Sequence, residues 1–163
     1  MRWLFKPKTA QAFIQTGEKH ALKRRYKKAI QAFTRAIELE PQNAPAYRER
    51  ADAYIAIKAY DAALQDLNIA LKLTPDAFLD IYFDRAEIYL YAEQYSAAIK
   101  EYTRILEHDP RHEDALSGRA IAYTEAGNFK RAIADYTTLI QYYPDVTDYH
   151  HARDELRDKG DAR

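Results

Sequence analysis

Five histidines, two serines and a large number of carboxylates are the residues from which a reaction centre would have to be built. His108 and His112 stand at the i, i+4 spacing that aligns two imidazoles on one helical turn. Pro110 lies between them, however, and a helix cannot run through it to bring them to one face. His150 and His151, with Asp154 and Glu155, read as polar positions of a terminal helix, so no metal site is expected there. Ser96 and Ser117 lie outside any Gly-x-Ser-x-Gly turn, and the chain has neither a Gly-rich phosphate loop nor a His-Glu-x-x-His pair. The absence of cysteine excludes a disulfide framework, a thiolate metal site, a cysteine nucleophile and a lipid on an N-terminal cysteine. The carboxylates fall on open, ruled surfaces where no pocket is implied. The chain is therefore not expected to be an enzyme or to carry a cofactor, and the question becomes what its charged surfaces hold.

The elements that position those surfaces are written in a repeat. Pro41, Pro75, Pro110 and Pro144 fall 34, 35 and 34 residues apart. Aligned on them, the chain divides into units 10–43, 44–77, 79–112 and 113–146, with Phe78 left over as a one-residue insertion. The eighth position of each unit is small (Gly17, Ala51, Ala86, Ala120), and so is the twentieth (Ala29, Ala63, Ala98, Ala132). Small residues there let two antiparallel helices approach closely. Large residues surround that contact: Phe13, Tyr47, Tyr82 and Leu116 at the fourth position, and Phe33, Leu67, Tyr102 and Tyr136 at the twenty-fourth. A period of this length describes a two-helix unit that stacks on its neighbours to bury a continuous core. The pattern predicts helices over 10–23, 26–40, 44–57, 60–73, 79–91, 95–108, 113–126 and 129–142. A ninth near 147–159 would place Tyr149, Ala152 and Leu156 on one face, as a cap for the last repeat. Residues 1–9 read as an N-terminal extension and 160–163 as a frayed tail. No stretch approaches a membrane span, and Trp3-Leu4-Phe5 is too short for a signal-peptide core, so a cytoplasmic location is expected.

This pattern resembles the tetratricopeptide repeat, a helix–turn–helix unit of 34 residues with small residues at positions 8, 20 and 27 and proline at 32. The resemblance covers residues 10–146. It departs mildly at His20, where tyrosine is usual, and at Ile105 and Leu139, where alanine is usual. It implies an all-α, right-handed superhelix (an α-solenoid) of four repeats closed by the C-terminal capping helix, and a protein-interaction adaptor or scaffold by function.

The resemblance also says where a ligand would lie, because in this family the first helix of each repeat lines the inner groove. The positions it nominates carry Glu18 in the first repeat, and Arg48, Glu49 and Asp52 in the second. The third contributes Asp80, Phe83, Asp84, Glu87 and Tyr91. The fourth contributes Asp114, Ser117, Gly118 and Glu125. Eight of these are acids and Arg48 is the only base. Asp80, Asp84 and Glu87 follow one another at i, i+4 and i+7. Such a face suits a basic or amphipathic peptide, steered by the acids and anchored on Phe83 and Tyr91. Relatives that grip the acidic C-terminal tails of chaperones use a clamp of Lys, Asn and Arg. The matching positions here hold Ile14, Glu18, Glu49, Asp80 and Asp84, so a chaperone tail is not the expected ligand.

The formal net charge is zero, yet it is unevenly spread. Lys19, Lys23, Arg24, Arg25, Lys27 and Lys28 cluster at the turn between the first two helices, with no acid among them, and Arg2, Lys6 and Lys8 flank Trp3-Leu4-Phe5. This end reads either as a polar cap or as a patch for nucleic acid or an anionic membrane. A third reading pairs it with the acidic body of another copy in a homo-oligomer. No nucleic-acid motif or stacking platform accompanies the cations, so the partner expected first is a protein.

Overall fold

A computed structural model describes residues 9–161. Arg2, Trp3, Leu4, Phe5, Lys6 and Lys8 lie outside the described residues, as does the end of the expected tail. The described residues form nine α-helices joined by short turns: α1 (Ala10–Leu22), α2 (Tyr26–Leu39), α3 (Ala44–Ala56), α4 (Tyr60–Leu73), α5 (Phe78–Tyr91), α6 (Tyr95–His108), α7 (Glu113–Glu125), α8 (Phe129–Tyr142) and α9 (Thr147–Asp161). The fold is all-α. The inserted Phe78 is absorbed as the first residue of α5, behind a 3-10 turn over Pro75–Ala77. Helix α9 runs through Asp161, past the residue where the pattern placed its end.

Local chemistry explains where these helices begin. Thr9 accepts a hydrogen bond from the Ala12 amide, Asn43 from Ala46 and Asn128 from Arg131, each satisfying a donor that the first turn leaves free. Helix α7 is capped by His112 instead, whose Nδ1 accepts from the Ala115 amide at 3.3 Å.

The turns within the four helical hairpins share one device. Arg24, Lys58, Glu93 and Gly127 each adopt a positive φ, of 54°, 60°, 58° and 75°. The amide after each one bonds back five residues, as Arg25 does to His20 and Asn128 to Tyr123. This is a Schellman closure of the preceding helix. Only the last of the four uses glycine, which reaches this region without penalty. A Cβ at Gly127 would meet nothing within 4 Å. Gly127→Ala should therefore cost only conformational energy, about 1 kcal/mol. Lys58→Gly should have the smaller opposite effect, and thermal unfolding of the two variants checks both signs.

The chain divides into two compact units, one ending at Ile81 and one beginning at Tyr82. In the first, α1 packs on α2, α2 on α3 and α3 on α4. Its core includes Ile14, Ala29, Phe33, Ala36 and Ala46, and a Cβ at Gly17 would stand 2.7 Å from Phe33 ring carbons. In the second, α6 packs on α7, α7 on α8 and α8 on α9. There Tyr102, Ile105, Leu116, Tyr136 and Leu139 are buried, and Leu156 of α9 closes over them. All seven alanines at the eighth and twentieth positions are completely buried, as close helix approach requires. Helix α9 is fixed further by the Tyr149 hydroxyl, which donates to Glu113 Oε1 at 2.6 Å.

Candidate functional site

The acidic positions nominated by the sequence fall into two sets, one in each unit. In the first unit, Glu18 on α1 and Asp52 on α3 are exposed, while Arg48 and Glu49 on α3 are half-buried. Pro45, Arg48, Glu49, Asp52, Thr74 and Ala77 line an open hollow of about 430 Å³. Arg48 Nη1 lies 3.8 Å from Asp80 Oδ2, and Asp80 is largely exposed. A surface pair at this distance contributes little and leaves the acid available. Burial and then the Glu18 charge push the Glu49 carboxyl above its ordinary range, with Arg48 pulling the other way.

In the second unit, Asp84 and Glu87 are half-buried on α5, and Asp114 stands exposed at the start of α7. The Glu87 carboxyl is also raised, first by burial, then by Asp84 and Asp114. Both charges acting on it are negative. The buried Tyr102 phenol is pushed well above its usual range by burial and by Glu87, Tyr91 and Asp114, so it shares their surroundings. Tyr91 is exposed at the end of α5. Glu125, in the last turn of α7, acts on Tyr95 and not on the Glu87 group.

The raised carboxylates have a consequence for stability. Folded Glu49 and Glu87 bind protons more tightly than their ordinary value of 4.5 allows. Between that value and the raised one, the folded chain holds more protons than the unfolded chain, so stability falls as pH rises through the window and returns as pH falls. Glu87→Gln removes one such charge. It should stabilise the protein at neutral pH by roughly 0.5 kcal/mol or less, after discounting for solvent screening. The gain should shrink as pH approaches 4.5, which melting curves at neutral and mildly acidic pH would show.

Two positions behave differently from the sequence expectation. Phe83 faces Tyr102 edge-on at 6.0 Å and stacks on His112 at 6.0 Å. Its ring is engaged within its own unit by α6 and the start of α7, whereas the sequence nominated it as a ligand anchor. Gly118 is buried and does not line a surface. A Cβ there would lie 2.6 Å from the Tyr102 hydroxyl oxygen and 2.7 Å from Cε1. The position is small because Tyr102 fills it.

A third feature escaped the sequence reading. Arg50 donates through Nε and Nη2 to both oxygens of Asp66, each at 2.7 Å, and through Nη1 to Thr34 at 3.0 Å. Arg119 repeats this with Asp135, at 2.9 and 2.7 Å, and with Thr103 at 3.2 Å. Arg85 pairs with Glu101 at 2.9 Å, and Arg104 shares the same acid. Each arginine precedes its acid by sixteen residues. In three successive repeats, Arg at the seventh position and Asp or Glu at the twenty-third is a signal the sequence carried.

The six cations of the first hairpin, Lys19, Lys23, Arg24, Arg25, Lys27 and Lys28, are all exposed. Among the described residues, no three His, Asp or Glu side chains come together as a metal site. No helix among them is long and apolar enough to cross a membrane.

Tetratricopeptide repeat families match residues 21–86 and residues 83–146. The chain belongs to the tetratricopeptide repeat family. Hsp70-Hsp90 organizing protein 2 of Arabidopsis thaliana is 29% identical over 104 residues, covering 64% of this chain and 18% of that protein. Serine/threonine-protein phosphatase 5 of Homo sapiens is 32% identical over 90 residues, covering 55% of this chain and 18% of that protein. This tetratricopeptide repeat chain thus spans under a fifth of either relative. A solved MamA structure from Desulfovibrio magneticus RS-1 is similar with a TM-score of 0.82 at 16% identity, covering 93% of this chain and 85% of that one. At that identity the likeness shows the fold. As a tetratricopeptide repeat protein, the chain has a protein–protein interaction role.

Proposed function

We propose that the chain is a non-catalytic adaptor whose acidic first-helix faces receive a basic or amphipathic segment of a partner protein. The observation that carries this reading is Glu87: a half-buried carboxylate raised by burial, by Asp84 and by Asp114. Like charges gathered at a partly desolvated position cost the free protein stability, and a bound cation relieves that cost. Glu49 with Glu18 forms a weaker counterpart in the first unit, tempered by Arg48. Tyr91, Asp114 and Glu125 accompany Glu87 in the second unit, and Asp52 and Asp80 accompany Glu49 in the first.

The similarity to an Hsp70-Hsp90 organizing protein suggests chaperone association as one source of partners. The Lys, Asn and Arg positions with which some tetratricopeptide repeat proteins grip acidic chaperone tails nevertheless carry Ile14, Glu18, Glu49, Asp80 and Asp84 here, which repel or ignore a carboxylate. The ligand is therefore basic where it meets this face.

Fluorescence anisotropy with two labelled peptides tests the charge preference, one an amphipathic Lys/Leu helix and the other its Glu/Leu counterpart. The basic peptide should bind, and more weakly as salt is raised, while the acidic one should not. Equal binding of the two, or preference for the acidic peptide, would refute the reading.

A further inference from the structure

We propose that the turn between α1 and α2 is a docking edge for an anionic lipid surface, separate from the acidic face. The six cations from Lys19 to Lys28 are exposed and make no ion pair among the described residues. Lys27 and Lys28 occupy the first turn of α2, which carries no acid and no side-chain cap. Cations at that end of a helix oppose its dipole, so this arrangement weakens the fold in isolation. An external negative charge offsets that cost.

Leu22 decides among the negative partners. It is 85% exposed. It follows Lys19 by one helical turn and directly precedes Lys23. A phosphodiester backbone would satisfy the cations and leave this leucine in water. The boundary between headgroups and acyl chains satisfies both, because lysines and arginines meet lipid phosphates while the apolar side chain enters the layer beneath. Stacking of nucleic-acid bases has no support here, since Tyr26, the aromatic nearest the turn, is half-buried. The next hairpin of the same unit repeats the theme. Helix α3 contacts α1, and it is followed by Ile57, 39% exposed, and Lys58. Glu18 and Asp61 are the acids nearest these two turns in sequence. They are outnumbered by seven cations, the six together with Lys58.

The test is sedimentation of the full chain with phosphatidylcholine vesicles, with and without phosphatidylserine. Double-stranded DNA serves as a second probe, and circular dichroism confirms that each variant is folded. Binding is expected to the phosphatidylserine vesicles alone. Lys23→Gln/Arg25→Gln/Lys28→Gln should lower the partition coefficient about a hundredfold, on the order of fivefold per cation. Leu22→Ser should lower it about tenfold, with unchanged salt dependence. The proposal is overturned if the chain ignores phosphatidylserine vesicles. It is equally overturned if Leu22→Ser changes nothing and DNA binds as tightly as lipid, which would make the turn a general polyanion site. Neither outcome bears on the acidic face, whose peptide test stands apart.

Discussion

Asp135→Ala is expected to destabilise the protein by about 3–5 kcal/mol, a large share of the roughly 5–15 kcal/mol that holds an ordinary domain together. Asp135 is 6% exposed and receives two hydrogen bonds from the Arg119 guanidinium. Removing it leaves a mostly buried positive charge whose remaining contacts are the Thr103 hydroxyl and the face of the Tyr123 ring. The loss comes from that stranded charge, because a buried pair is not strongly stabilising compared with an apolar one of equal volume. Arg119→Met/Asp135→Leu should therefore recover most of the stability. Urea unfolding of the single and double variants measures both. A single variant within about 1 kcal/mol of the parent would show that water reaches the guanidinium and that the pair does not lock α7 to α8. Asp66→Ala should repeat the effect in the first unit, where Asp66 is 3% exposed.

Gly118→Ala, a single added methyl, is expected to cost about 1–3 kcal/mol. The new Cβ would overlap the end of the Tyr102 ring, and Tyr102 is 1% exposed and closely surrounded. Cores near crystal density cannot open by that amount without shifting a helix. Shortening the opposing side chain relieves the overlap, so Gly118→Ala/Tyr102→Leu should cost less than the two substitutions summed. Strict additivity in unfolding free energies would mean that the ring simply swings aside.

These two sites mark the boundary of what the sequence could reveal. The buried alanines at the eighth and twentieth positions were legible because their size is fixed by a contact inside a single repeat. Helix ends were legible to within two residues, because the prolines that close each repeat act locally. Gly118 was not. Read by position alone it belongs to an exposed face, and its burial depends on a tyrosine contributed by the preceding repeat. The same applies to Phe83, whose neighbours Tyr102 and His112 come from later elements. The left-handed turns at Arg24, Lys58 and Glu93 use no glycine, so composition gave no hint of them. The arginine–acid pairs hid among ordinary charges because each spans sixteen residues, beyond the reach of any single-helix pattern. For the acidic face, the sequence showed which charges share a helix. It could not show that Glu87 and Glu49 are partly desolvated, and that desolvation is what turns a solvated acidic face into a candidate site.

The most direct test of the interaction reading is affinity capture from lysate with the wild type and with Asp80→Lys/Asp84→Lys/Glu87→Lys, at low and moderate salt. The retained protein would be identified and its binding segment resynthesised as a peptide. The account predicts that the wild type retains a protein through a basic or amphipathic segment, more weakly at the higher salt, and that the triple variant loses it while remaining helical. Identical captures by the two chains, or retention through an acidic segment, would contradict it.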